Sequence, residues 1–183
     1  MSSNSEASHW SAPLRIRRAG PADAASLAEL ARRTFNETYG NQNEADNLEA
    51  YGRDAFTESR WQAMVEDTTS RVLVVESQEG TSVGYAQLRQ GFTPETVGGT
   101  HPVELGRIYL LKEWQGRGAG AAMMDRCLNE ARELGGDRIW LGVWELNSKA
   151  ISFYERSGFT AVGTQPFPLG GDIQTDLVMI REL

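Results

Sequence analysis

The chain predicts a single α/β domain built on a mixed β-sheet. Three observations point there. Its 183 residues, 40% apolar and 23% charged, match an ordinary globular domain with one core. Its second half alternates strand-like and helix-like segments, the pattern of helices packed on a sheet. A glycine-rich turn, Gln115-Gly116-Arg117-Gly118-Ala119-Gly120, joins one such strand to one such helix.

The elements follow in order. Leu14-Arg15-Ile16-Arg17 alternates apolar and polar residues, as a short strand does. Gly20-Pro21-Ala22-Asp23 opens a helix, with proline where its missing N–H costs nothing. Leu27, Leu30, Ala31 and Phe35 form that helix's apolar stripe. Two short helices are expected next, burying Leu48, Tyr51 and Phe56, then Trp61, Met64 and Val65, with Thr57 placed to cap the second. β-Branched residues from Arg71 to Ser77 read as a buried strand, and the turn Gln78-Glu79-Gly80-Thr81 leads into a hairpin partner from Val83 to Arg89. Gly91 to Pro102 is a loop and Val103 to Leu111 a strand. Gly116 to Leu134 is a helix whose Met124, Cys127, Leu128, Ala131 and Leu134 keep the helical period. Arg138–Trp144 is a strand, Ser148–Ser157 a helix, and Phe159–Gly163 and Ile173–Ile180 are the last two strands.

Composition narrows function. One cysteine excludes an intrachain disulfide framework, and two histidines leave too few soft ligands for a zinc or iron site, so no metal is expected. Eighteen basic against 25 acidic residues, a net charge of −7, argue against nucleic acid or an anionic membrane as partner. No segment is apolar for the roughly 20 residues a bilayer requires. Residues 1–12 read as a disordered polar tail without a leader, and residues 13–183 as the domain of a soluble, cytoplasmic protein. The charge is concentrated: eight acids and two bases between Glu37 and Asp67 give −6, nearly the whole surplus. This stretch is either a pair of solvated helix faces or a wall that concentrates a cationic partner.

The glycine-rich turn carries the chemistry. Residues without Cβ let an anion approach successive backbone N–H groups, and the helix start behind them adds unpaired donors and partial positive charge. A phosphate or pyrophosphate site with Arg117 at its rim is one reading, a plain structural turn the other. A P-loop is excluded because no lysine follows the glycines. A dinucleotide fingerprint fits poorly, since Lys112 to Gln115 separate the strand from the first glycine and Glu145 lies too far along the chain.

With its flanks, this segment resembles the GNAT superfamily of acyl-CoA-dependent N-acetyltransferases. Gln115, Gly118 and Gly120 match the family's pyrophosphate loop. The run from Asn147 through Ala150 to Phe153-Tyr154-Glu155-Arg156-Ser157-Gly158-Phe159 matches its second signature, in the right order. The likeness is good from about Arg71 to Leu183. Thr34 to Gly40, Asn43 to Tyr51 and Glu104 to Leu110 further resemble the PaiA-type bacterial branch, which includes polyamine acetyltransferases.

The resemblance implies a set of roles. Acetyl-CoA is the co-substrate, with its pyrophosphate on Gln115, Gly116, Arg117, Gly118, Ala119 and Gly120. Backbone groups in the Ile108, Tyr109 and Leu110 segment pair with the pantetheine arm and acetyl oxygen, and Asn147 hydrogen-bonds the pantetheine. Tyr154 is the general acid that protonates the departing sulfur, against the alternative of a packed helix tyrosine. An alkyl ammonium is neutral in only about one molecule in 2,500 at pH 7, so a base helps, and Glu104 is the candidate. Glu104 alternatively pairs with Arg107. Lys149 and Arg156 are candidate phosphate contacts and His101 a candidate liner of the acceptor site. Cys127 falls on an apolar stripe and reads as an inert thiol; His9 falls in the tail. The implied activity is acetyl transfer to a primary amine, a polyamine or other small cationic amine first. A protein-lysine or N-terminal acetyltransferase and a non-catalytic acyl-CoA-binding module are the alternatives. A homodimer is expected by analogy.

Overall fold

The computed structural model describes residues 14–183. The expected tail, His9 included, lies outside the described residues. Seven strands, β1 (Arg15–Arg18), β2 (Ser70–Glu76), β3 (Ser82–Arg89), β4 (Pro102–Leu110), β5 (Arg138–Trp144), β6 (Thr160–Leu169) and β7 (Asp172–Glu182), make one mixed sheet in the order β1-β2-β3-β4-β5-β7-β6. Five helices flank it: α1 (Ala24–Tyr39), α2 (Ala45–Ala55), α3 (Glu58–Glu66), α4 (Ala119–Glu133) and α5 (Ser148–Arg156).

The local sequence accounts for the main elements. Asp23 accepts from the Gly20 amide at 2.7 Å and pairs with Arg17 through two hydrogen bonds, so the start of α1 is anchored to β1. Leu27, Leu30, Ala31 and Phe35 are buried along α1, as their spacing predicts. The Thr57 hydroxyl caps α3 by accepting from the Arg60 amide at 3.3 Å. On α4, Met123, Met124, Cys127, Leu128 and Ala131 face the sheet. Trp61 of α3 meets Tyr85 of β3 edge-on, with ring centroids 5.0 Å apart. α1 with α3 and α4 cover opposite faces, and one core cluster spans both.

Two segments differ from expectation. β6 runs to Leu169 rather than ending at Gly163, through Pro166 and Pro168. It is the sheet's edge strand and pairs only with β7, so prolines two residues apart remove no ladder bond to a second neighbour. α4 begins at Ala119, because Gly116 and Gly118 have φ of +75° and +83° and form the turn before it.

Candidate active site

β4 and β5 run parallel but share only three rungs, Pro102↔Arg138, Val103↔Ile139 and Glu104↔Trp140. Beyond Glu104 they part, while β4 stays paired with β3 to Gly84↔Leu110 and β5 with β7 to Trp144↔Asp176. The Leu111 amide donates to the Val83 carbonyl at 3.0 Å. Bonded positions alternate in an antiparallel ladder, so Arg107 and Tyr109 turn their backbone groups to β3, and Ile108 and Leu110 turn theirs into the gap. Tyr109 thus serves the site through its side chain and not its backbone. The gap is lined with peptide groups on a core-packed strand.

The glycine turn lies at the mouth of this gap. No side chain caps α4, so the amides of Ala119, Gly120 and Ala121 have no intrahelical acceptor and carry the helix's partial positive charge. A Cβ on Gly120 would lie 3.4 Å from the Phe153 ring, so a small residue lets α4 and α5 approach there. Gln115 has a different task from the other loop residues. Its amide donates to the Leu110 carbonyl at 2.9 Å and accepts from Lys149 Nζ at 2.6 Å, latching the end of β4 to α5. Arg117 is exposed on the loop.

Across the gap, Asn147 caps α5, its Oδ1 accepting from the Ala150 amide at 3.1 Å, and its side chain also lies beside the Tyr39 hydroxyl. Tyr154 follows two turns later, its ring against Phe153 and edge-on to Phe159. Burial, with Tyr109, Cys127 and Asp176 nearby, holds its phenol well above the ordinary value, so it stays protonated at neutral pH. No hydrogen bond among the described residues occupies its hydroxyl.

Glu104 stands on the last shared rung. Arg89 grips it with two hydrogen bonds of 2.7 and 2.8 Å. Arg107, the partner offered by the sequence, instead donates to Gln87 at 2.6 Å and lies over the Trp61 ring.

Beside the gap, Tyr39, Tyr109, Trp144 and Asp176 lie near one another. The Tyr39 and Tyr109 hydroxyls are 3.4 Å apart, and Trp144 meets Tyr39 edge-on. Asp176, opposite Trp144 on β7, is 8% exposed, and burial raises its pKa to about 6. Trp144 also lines an open cleft of about 760 Å³ with Asn43, Glu44, Asn47, Asp172 and Gln174, among others. One side of the cleft is tied by two hydrogen bonds, Gly171 N–H of the β6–β7 turn to Asn47 Oδ1 of α2 at 2.9 Å and Gln174 Nε2 of β7 to Asn43 Oδ1 before α2 at 2.5 Å. Glu44 and Asp172 are the ionisable groups lining it, and both are acids.

The acidic stretch is therefore only partly a wall. Glu44 reaches the cleft, whereas Glu37 is bonded to Arg33 and the Lys112 amide, Asp67 to Thr69, and Glu49 to Arg53. His101 is exposed, with its backbone amide on Asp137, and does not line the cleft. Burial, reinforced by Glu130, pushes the Cys127 thiol up to about 12, so it is not a nucleophile. No cluster of three or more His, Cys, Asp or Glu fit to hold a metal occurs among the described residues.

Sequence reasoning missed Tyr39, Gly142, Trp144 and Asp176. Two signals were available. Asp176 shares a strand face with Val178 and Ile180, an unusual place for an acid, and Gly142 lies between Trp140 and Trp144 at strand spacing, which marks a close approach.

A parted parallel strand pair, a glycine turn opening a helix, and a tyrosine facing the gap define an acyltransferase class. The sequence model of the acetyltransferase (GNAT) family matches residues 25–159. An uncharacterized N-acetyltransferase of Mycobacterium tuberculosis is 34% identical over 161 residues, spanning 88% of this chain and 98% of that protein. The L-amino acid N-acyltransferase MnaT of Escherichia coli is 27% identical over 151 residues, 82% of each chain. In fold, the PaiA N-acetyltransferase of Thermoplasma acidophilum, solved with coenzyme A, superposes with a TM-score of 0.72 at 20% identity, covering 93% of this chain and 99% of that one. The chain belongs to the GNAT family and is an acyltransferase enzyme.

Proposed function

We propose that the enzyme transfers the acetyl group of acetyl-CoA to a small cationic amine, polyamines included. The observation that carries the acceptor class is the cleft, whose lining offers carboxylates and no cation. A free amino acid, the acceptor named for the Escherichia coli relative, brings a carboxylate that this lining would repel. An alkyl diamine brings only positive charge.

In this reading the pyrophosphate rests on the amides of Gly116 to Gly120, with Arg117 at the rim. The pantetheine arm lies along β4, meeting the gap-facing groups of Ile108 and Leu110, with Asn147 on the opposite wall. The amine nitrogen attacks the thioester carbonyl carbon from the Trp144 side, the C–S bond breaks, and Tyr154 gives its proton to the sulfur. The phenolate recovers a proton from the newly bonded nitrogen. Glu104, gripped by Arg89, holds the vertex of the gap and adds negative charge at its floor. Two plainer expectations accompany this reading, a cytoplasmic location and a homodimer joined through a sheet edge, β1 and β6 being the edges.

The test is release of free CoA from acetyl-CoA with a panel of diamines and polyamines, free amino acids, lysine peptides and neutral amines. Diamines and polyamines are expected to give the highest kcat/KM, falling with added salt. Higher kcat/KM with amino acids or peptides would overturn the acceptor class. Tight acetyl-CoA binding without turnover on any amine would overturn the catalytic reading.

A further inference from the structure

We propose that Asp176 is the proton acceptor of the acyl transfer, taking the proton of the acceptor ammonium as its nitrogen engages the thioester. The inference rests on the acceptor reading above and adds the residue that acts on the acceptor. Asp176 is more than nine-tenths buried, and no hydrogen bond or ion pair among the described residues meets its carboxylate. A bare buried carboxylate is costly, and a folded chain normally gives it partners. Here the surroundings make room for it instead. A Cβ on Gly142 would fall 2.9 Å from Asp176 Oδ2 and 2.7 Å from Gln165 Nε2, so the absent side chain on β5 is what lets these two groups project over the sheet.

The position matches the task. Asp172, Gln174 and Asp176 share one face of β7, the first two lining the open cleft and the third lying deepest. The Tyr154 phenol, the proton donor in the reading above, lies within electrostatic reach of Asp176. In the proposed reading, a cation drawn in by Glu44 and Asp172 passes along this face of β7 to Asp176. The ionisable groups facing Asp176 are Tyr39 from α1 and Tyr154 from α5, with Tyr109 of β4 behind Tyr39. Gln165 of β6 and Trp144 of β5 complete the surround and carry no charge. With no cation to hold it down, burial raises the carboxyl to about 6. It is then ionised at neutral pH, yet a better proton acceptor than an ordinary aspartate. Glu104 differs on each count, being held by two bonds from Arg89 on the closed end of the gap.

The protons balance. The ammonium gives one proton to Asp176, and the freed lone pair forms the N–C bond. The second proton leaves the nitrogen as the C–S bond breaks and replaces the one Tyr154 gave to sulfur. Asp176 later releases its proton to water, so the products are the acetamide, the free thiol and one proton.

Asp176→Asn preserves shape and removes the basicity. Three measurements test it: steady-state rates over about pH 5 to 9 with the best acceptor of the panel, acetyl-CoA affinity by calorimetry, and carbon-13 titration of the wild-type carboxyl. The expected result is a drop in kcat/KM of about 100-fold or more, loss of the acid limb near pH 6, and unchanged acetyl-CoA affinity. The carboxyl should titrate near 6 and move downward when 1,4-diaminobutane is added. A variant within about threefold of wild type that keeps its acid limb would overturn the inference. So would a loss of turnover matched by lost acetyl-CoA affinity, or a carboxyl titrating at the ordinary aspartate value. If only neutral or anionic acceptors react but the variant still loses the acid limb, the acceptor class falls and Asp176 stands.

Discussion

Glu130 on α4 and Asp176 on β7 are both buried carboxylates in one small domain, yet their surroundings are opposite. Glu130 is fully buried and receives Arg18 from β1 and Arg126 from its own helix, with hydrogen bonds between 2.6 and 3.1 Å. Burial works to raise its pKa, but the two guanidinium groups outweigh it and the carboxyl stays below its ordinary value. Asp176 has burial and nothing to offset it, and its pKa rises. Glu130 joins the first strand to the far helix, whereas Asp176 follows the cleft-lining Asp172 and Gln174 along one face of β7. A partnered buried charge holds elements together, and an unpartnered one beside a cleft keeps its capacity to bind something else.

Three substitutions break or sharpen this contrast, and the largest effect is expected on the cleft side. Tyr154→Phe should lower kcat by about 10²- to 10⁴-fold, as loss of a general acid does, while calorimetry finds acetyl-CoA affinity and melting temperature unchanged. Unchanged turnover would leave the contrast without its chemical half. Glu130→Gln should do the reverse, costing about 1–3 kcal/mol in denaturant unfolding with kcat preserved, a cost moderated because both arginines are partly exposed. Its pH dependence has a definite sign. A depressed carboxyl stabilises the fold above its ordinary value of 4.5, and the contribution is lost as pH falls through the native value. In stability, Asp176→Asn should show the opposite slope. A carboxyl raised from 3.8 to about 6 favours folding at low pH, and that contribution is lost as pH rises through 6. Removing it should therefore stabilise the protein by about 1–3 kcal/mol at pH 8 and by almost nothing at pH 4. Thermal melts at the two pH values decide the matter.

Much of the architecture was legible in the sequence, because it depends on period and punctuation. The Leu27 to Phe35 stripe and the β-branched run of β2 each act within one element. The glycine turn was legible for the same reason, although its residues divide the work in a way only contacts reveal, Gln115 latching β4 to α5 while the glycines leave amides open. The acceptor side was not legible. It is assembled from α1, the α1–α2 loop, β5 and β7, whose residues are over a hundred positions apart in the chain. The local concentration of acid drew attention to the stretch from Glu37 to Asp67, but four of its eight carboxylates, Glu37, Glu49, Glu66 and Asp67, are held by neighbouring side chains and amides. Asp172 reaches the cleft from the far end of the chain, and Asp176 lies buried further along the same face of β7. Likewise, β6 continues past Gly163, and only sheet order makes Pro166 and Pro168 harmless there.

The three rungs between β4 and β5 make the sheet two plates joined along a short seam at Glu104. Tyr109 rides on one plate; Trp144 and Asp176 ride on the other. Their separation across the gap is then governed by the opening angle at the seam more than by any rotamer. A lever of this kind turns a small change beside Glu104, such as a loosened Arg89 clasp, into a larger displacement where the acyl group is exchanged.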